Sequence, residues 1–133
     1  MTQQGTQGYI LTTPGVRHTQ ISGSFQPNGT GALTNVYGIG FSVVRTSAGV
    51  YTVTLTRPFA NIVSACANKT TDEVTNHNIV FGAITLPTGT TNGSFTLTHL
   101  VSGTAADITA SGALRRVNFQ VVLANGKVPG SGV

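Results

Sequence analysis

Three histidines, three carboxylates and a single cysteine are all that this 133-residue chain holds for acid–base, thiol or metal chemistry. General acid–base catalysis by paired carboxylates needs two of them facing one cleft. Here Asp72 and Glu73 share one turn segment and Asp107 stands apart. A metal site on a β scaffold draws on histidines two residues apart with a carboxylate nearby, because alternate residues share a face. His18, His77 and His99 are each isolated, and only His77 and His99 fall on segments able to become neighbouring strands. Cys66 cannot close an intrachain disulfide, and the apolar run Asn61-Ile-Val-Ser-Ala-Cys-Ala67 predicts a buried, inert thiol. No Gly-x-Ser-x-Gly elbow offers a serine nucleophile, and the glycines near 29–31 and 38–40 lack the spacing and following helix of a phosphate loop. The expectation is a protein that is not an enzyme, with no metal ligands and no cofactor.

Charge is sparse and dispersed. Arg17, Arg45, Arg57, Lys69, Arg115, Arg116 and Lys127 outweigh the carboxylates to give a net charge of +4, and only Arg115 and Arg116 are adjacent. Nucleic-acid readers gather such charge on one face beside aromatic platforms, so nucleic acid is not an expected partner. Charged residues make up 8% of the chain, against roughly 25% in ordinary soluble domains. Hydroxyls and amides must keep the surface wet, supplied above all by 22 threonines. No run approaches the roughly 18 apolar residues of a membrane span. The opening Met-Thr-Gln-Gln-Gly lacks the basic start and apolar stretch of a secretory signal, so cytoplasmic synthesis without membrane association is expected.

The elements that must position these residues are strands. Threonine, valine and the aromatics fit a pleated, half-buried surface, and helix formers are scarce. Ile39, Phe41 and Val43 alternate with small or polar neighbours, and after Ser47-Ala-Gly49 so do Tyr51, Val53 and Leu55. This predicts a hairpin with Gly49 in the left-handed conformation and a threonine ladder on its outer face. Pro58 ends the second strand. Further runs cover 62–67, 75–86, with His77, Ile79, Phe81 and Ala83 on one side, then 94–101 and 116–123. Turn signals separate them at 68–72, 87–93 and 102–112, the last with room for one helical turn near Asp107. With a possible strand over 15–26, seven or eight short antiparallel strands predict an all-β sandwich of jelly-roll type. Its expected core is Phe41, Val43, Tyr51, Val53, Leu55, Ile79, Phe81, Phe95, Leu97, Phe119 and Val121.

The run Gly40-Phe-Ser-Val-Val-Arg-Thr-Ser-Ala-Gly-Val-Tyr-Thr-Val-Thr-Leu55, continued by Thr-Arg-Pro-Phe59 and closed by Val117-Asn-Phe-Gln-Val-Val-Leu123, resembles the strand-and-turn pattern of trimeric jelly rolls in bacteriophage virions. That pattern occurs in capsid decoration (cement) proteins and in the tips of collagen-like tail fibres. The resemblance spans about residues 39–124 and carries no catalytic signature. It implies a homotrimer on the capsid exterior, non-enzymatic, that binds across subunits of the phage major capsid protein. The alternative it implies is a trimeric tail-fibre or receptor-binding tip, although the collagen-like Gly-x-y tract is absent here.

Organisation follows: an N-terminal arm over 1–30 holding the one possible strand, a sandwich over 31–124, and a tail over 125–133. The arm has few large apolar side chains, so Tyr9, Ile10 and Leu11 are expected to pack on a neighbouring subunit or capsid protein, with Arg17 adding a charge contact. Arg115 and Arg116 are the other candidate contact residues. An arm folded back on its own sandwich would take away the mechanical basis of the cement reading and put the fibre-tip alternative ahead.

Overall fold

The computed structural model describes residues 10–13, 16–71, 77–109 and 115–125, with side chains described from residue 18 onward. It is an all-β sandwich with no helix among these residues. The first sheet holds β1 (Ile10–Thr13), β2 (Val16–Gln26), β10 (Arg116–Ala124) and β6 (Asn61–Thr70) in that order, with β3 (Thr34–Tyr37) also paired to β2. The second holds β4 (Phe41–Ser47), β5 (Val50–Leu55), β8 (Ser94–Val101) and β7 (His77–Thr85), with β9 (Thr104–Ala105) added to β8. Every pairing is antiparallel. Seven strands are long, matching the seven runs of the sequence. β1, β3 and β9 are short additions, β9 forming where one helical turn had room.

Period-two alternation decides which side chains meet between the sheets. Tyr51, Val53 and Leu55 on β5 and Phe95 and Leu97 on β8 are fully buried, facing Val117, Phe119, Val121 and Leu123 on β10. Phe41, Val43, Ile79 and Phe81 are half-buried against this cluster, because β4 and β7 are the edges of their sheet. The expected hairpin forms with Phe41 opposite Leu55 and Val43 opposite Val53. Its turn is tighter than expected, since Ser47 pairs with Val50 and the register shifts near Thr46. Gly49 has φ of 72°.

Four expectations change. The possible strand of the arm is β2, which pairs with β10 from His18 to Phe25 and drives Ile21 and Phe25 into the core. The sandwich therefore begins at residue 16, well inside the expected arm. β1 pairs Ile10 to Thr19 and Thr13 to Val16, so this part of the arm lies against its own chain. Cys66 is exposed, because it stands opposite Gln120 on the outer face of β6 while Ala67, opposite Phe119, faces inward. The predicted turn at 68–72 starts later, with β6 running on through Lys69 and Thr70.

Candidate functional site

Among the described residues, two places bring titratable side chains into contact with one another. The first lies where edge strands β6 and β7 flank one side of the sandwich. Alternation along β8 puts His99 on the same inward face as Phe95 and Leu97, only 1% exposed. On β7 the same rule turns His77 inward with Ile79, which is His99's cross-strand partner. Lys69 reaches in from β6 of the opposite sheet. The result is a triangle of nitrogens: His77 Nδ1 lies 2.7 Å from His99 Nε2, and Lys69 Nζ lies 3.0 Å and 3.3 Å from the same two atoms. His99 Nδ1 is 2.6 Å from the Ala106 carbonyl. A carbonyl only accepts, so Nδ1 carries a proton, and Nε2 is the ring nitrogen turned toward His77 and Lys69. A cleft of about 260 Å³ opens beside the triangle, lined by Asn68, Lys69, Thr71, His77 and Asn78 among others.

The approach of His77 to His99 is the one foreseen from the sequence. Lys69 was missed because the residue pattern placed it in a turn. Its signal was the alternation of Ala65, Ala67 and Lys69, which continues one strand face past Asn68. Among the described residues no group of three His, Cys, Asp or Glu side chains converges.

The second place is Asp107, held by Arg45. The guanidinium donates from Nε to Oδ1 at 2.8 Å and from Nη2 to Oδ2 at 2.7 Å, and the Gly49 amide donates to Oδ1 at 2.9 Å. The hydrogen-bonded Arg45 holds the Asp107 carboxyl below its ordinary range, and the carboxylate raises the guanidinium in turn. Nearby Tyr51 is pushed up by burial, with the Ile108 backbone pulling the other way, although its hydroxyl makes no hydrogen bond of good geometry. This is a structural clamp between β4 and the segment after β9.

The surface residues singled out by sequence divide differently. Arg116 is tied down within the chain: Nε donates to Ser24 Oγ at 2.8 Å, Nη2 to the Asn35 carbonyl at 2.7 Å, and the guanidinium lies 4.8 Å above the Tyr37 ring. Arg115 donates to the Thr109 carbonyl at 3.1 Å. Tyr9, the tail over 126–133 and the side chains of Ile10, Leu11 and Arg17 lie outside the described residues. Sequence reasoning did not single out β3, where Val36 and Tyr37 are exposed, and it placed Ile39 in the hairpin strand with Phe41 and Val43, whereas Ile39 lies in the bend before β4 and is 89% exposed. Val36 and Val44 line one cleft of about 410 Å³ between β3 and β4.

No family model, curated protein or solved structure matches the chain.

Proposed function

We propose that this chain is a non-enzymatic structural protein of a bacteriophage virion, a homotrimeric module of jelly-roll type that decorates and stabilises the capsid by binding across major capsid protein subunits. The observation that carries this reading is the exposure of Val36, Tyr37, Ile39 and Val44, of which Val36 and Val44 line one cleft, on a chain with few charged residues. Scattered apolar residues are ordinary on soluble proteins, whereas contiguous ones around a groove mark a contact surface. The pattern over 40–59 and 117–123, which resembles virion jelly rolls, supplies the setting. In this version attachment runs through the face of the sandwich, because residues 16–26, once assigned to a reaching arm, are part of its core sheet.

The pairing of β1 with its own β2 favours a second reading, the trimeric tip of a tail fibre, since that segment is then engaged within the chain. Quantitative protein analysis of purified particles separates the two. Many copies spread over the shell support decoration, and a few copies confined to the tail, with isolated protein adsorbing to host cells, support the tip. Absence from particles overturns both.

A further inference from the structure

A strand at the border of a sheet presents a row of backbone donors and acceptors, and proteins shield it with charge, a bulge or a covering segment. Among the described strands, three of the four borders of this sandwich are shielded. β1 and β3 lie along the outer edge of β2, β7 breaks register between Gly82 and Thr85 with Ala83 at a φ of 48°, and β6 carries Lys69, which bridges to His77 and His99. β4 is the fourth. We propose that the β4 edge is a strand-accepting site, which holds a protein partner by pairing with an extended, uncharged segment whose apolar side chains, at alternate positions, enter the adjoining cleft. The inference rests on the attachment reading above for the identity of that partner, and on β4 itself for the mode of binding.

Backbone direction is the first argument. In an antiparallel pair, alternate residues bond to one neighbour and the residues between them point the other way. Phe41 stands opposite Leu55 and Val43 opposite Val53. The Thr56 amide donates to the Gly40 carbonyl at 2.9 Å, while the Leu55 amide turns away to Gly93. Gly40, Ser42 and Val44 therefore bond within the hairpin, and the amides and carbonyls of Phe41, Val43 and Arg45 point out from the border of the sheet. Among the described residues no other backbone group pairs with them.

Charge is the second. Arg45 is the one charged residue of β4, and its guanidinium is drawn back onto Asp107 at 2.8 and 2.7 Å, so it does not guard the edge. The cleft of about 410 Å³ beside β4 is lined by Ala32, Leu33, Val36, Val43 and Val44 among others, and with Arg45 neutralised it suits an uncharged segment. Added strands bind in this manner, with backbone bonds holding the segment and pockets reading its alternate side chains. Length is the third argument. Phe41 to Arg45 is paired before the register shifts, a stretch of roughly 17 Å at about 3.4 Å per residue. That is short for two copies to hold each other through β4 alone, since stable interfaces bury about 1,000 Å² or more. Pairing of β4 with β4 would also close a two-fold and not the proposed three-fold. A trimer offers three such edges to a partner repeated over a surface, where short contacts gain from avidity.

The test is amide hydrogen exchange of the full chain, followed by nuclear magnetic resonance, with a synthetic probe. The probe is a capped peptide of alternating threonine and valine with every second amide N-methylated, which leaves it one pairing edge and prevents stacking on itself. In the free chain the Val43 and Arg45 amides are expected to exchange rapidly and the Val44 amide slowly. Saturating peptide is expected to slow Val43 and Arg45 about tenfold or more. Val44→Lys, which places a charge on the edge at a residue 59% exposed, is expected to weaken the peptide about tenfold or more, and a thermal melt establishes that the variant is folded. The proposal is overturned if the peptide leaves Val43 and Arg45 unprotected, if they are already protected in the dilute free chain, or if folded Val44→Lys keeps the affinity. Protection that grows with protein concentration alone overturns it by making a second copy the occupant, and equal binding of a peptide N-methylated at every amide overturns it by leaving side-chain contact only. Particles play no part in this assay, so a chain absent from virions that still takes the peptide keeps its strand-accepting edge and loses the proposed partner.

Discussion

The Arg45 guanidinium and the Asp107 carboxylate meet in a bidentate pair, 2.8 and 2.7 Å, that closes the hairpin of β4 and β5 onto the segment following β9. Fork-to-fork geometry of this kind is the stronger form of a charged contact. The Gly49 amide shares the same carboxylate, so one side chain of 62 residues' separation fixes both a strand and its turn.

Acid should loosen this clamp. The folded state lowers the Asp107 carboxyl below the ordinary value of 3.8, so its contribution is fully present above that value and is lost as pH falls through the lower folded-state one. Asp107→Asn is expected to melt at lower temperature than the parent at neutral pH and to lose less on acidification below about pH 4. Thermal melts followed by circular dichroism across that range provide the check, and parallel curves for the two proteins would count against the clamp.

Phe119 sits edge-on to Phe41 and Phe95, with centroids 4.9 and 5.5 Å away. Phe119→Ala is expected to cost about 3–5 kcal/mol in urea unfolding, and Val53→Asp, which buries a charge in the fully enclosed row of β5, to prevent folding altogether. A cooperative, soluble melt of Val53→Asp would mean that the strand faces are reversed.

Two glycines with similar backbone angles should respond differently to alanine. At Gly49, φ is +72° and a Cβ would stand 2.6 Å from the Ala106 backbone nitrogen. At Gly29, φ is +55° and nothing lies within 4 Å. Gly29→Ala should therefore cost only the left-handed penalty of about 1 kcal/mol, and Gly49→Ala clearly more, since backbone atoms cannot yield as a flexible side-chain tip does. Equal losses in parallel denaturant titrations would refute the close approach.

Ile39 touches solvent over most of its surface. Replacing it by lysine is expected to leave the melt within about 0.5 kcal/mol of the parent while reducing occupancy on particles, measured by co-sedimentation with virions stripped of the protein. Full occupancy of the variant would remove Ile39 from the attachment surface.

The exposed Cys66 thiol is expected to react with a maleimide in native buffer without prior unfolding. On the proposed trimeric reading, protection in the assembly with reactivity in the dissociated chain would place the outer face of β6 in the subunit contact. Protection in the isolated monomer would contradict the outward orientation.

Much of this fold was legible because alternation is a strong signal wherever one sheet face is buried. Tyr51, Val53 and Leu55 on β5 follow it without exception, and so do Phe95 and Leu97 on β8. Cys66 was misjudged for a physical reason: an apolar run of small residues on an edge strand has no fixed inside until its partner's register is known, and Gln120 sets it. Ile21 and Phe25 were visible as an alternating pair, but nothing local in the sequence shows that β10, ninety-odd residues away, pairs beside them. Lys69 and His99 are only 30 residues apart, but they stand in opposite sheets and meet only once the sandwich closes.

The position of β10 also bears on how the chain reaches its native state. It lies between β2 and β6 in the centre of its sheet, yet it is the last described strand along the chain. While a ribosome is still adding residues before Arg116, β2 and β6 have exposed edges and no shared neighbour, and Ile21 and Phe25 lack the row beside them on β10. The hairpin of β4 and β5 can form early from local contacts, but the first sheet must wait until β10 has been made. Completion of this sandwich accordingly follows the synthesis of β10, and the nascent protein depends on its low-charge strand edges remaining apart until that central strand arrives.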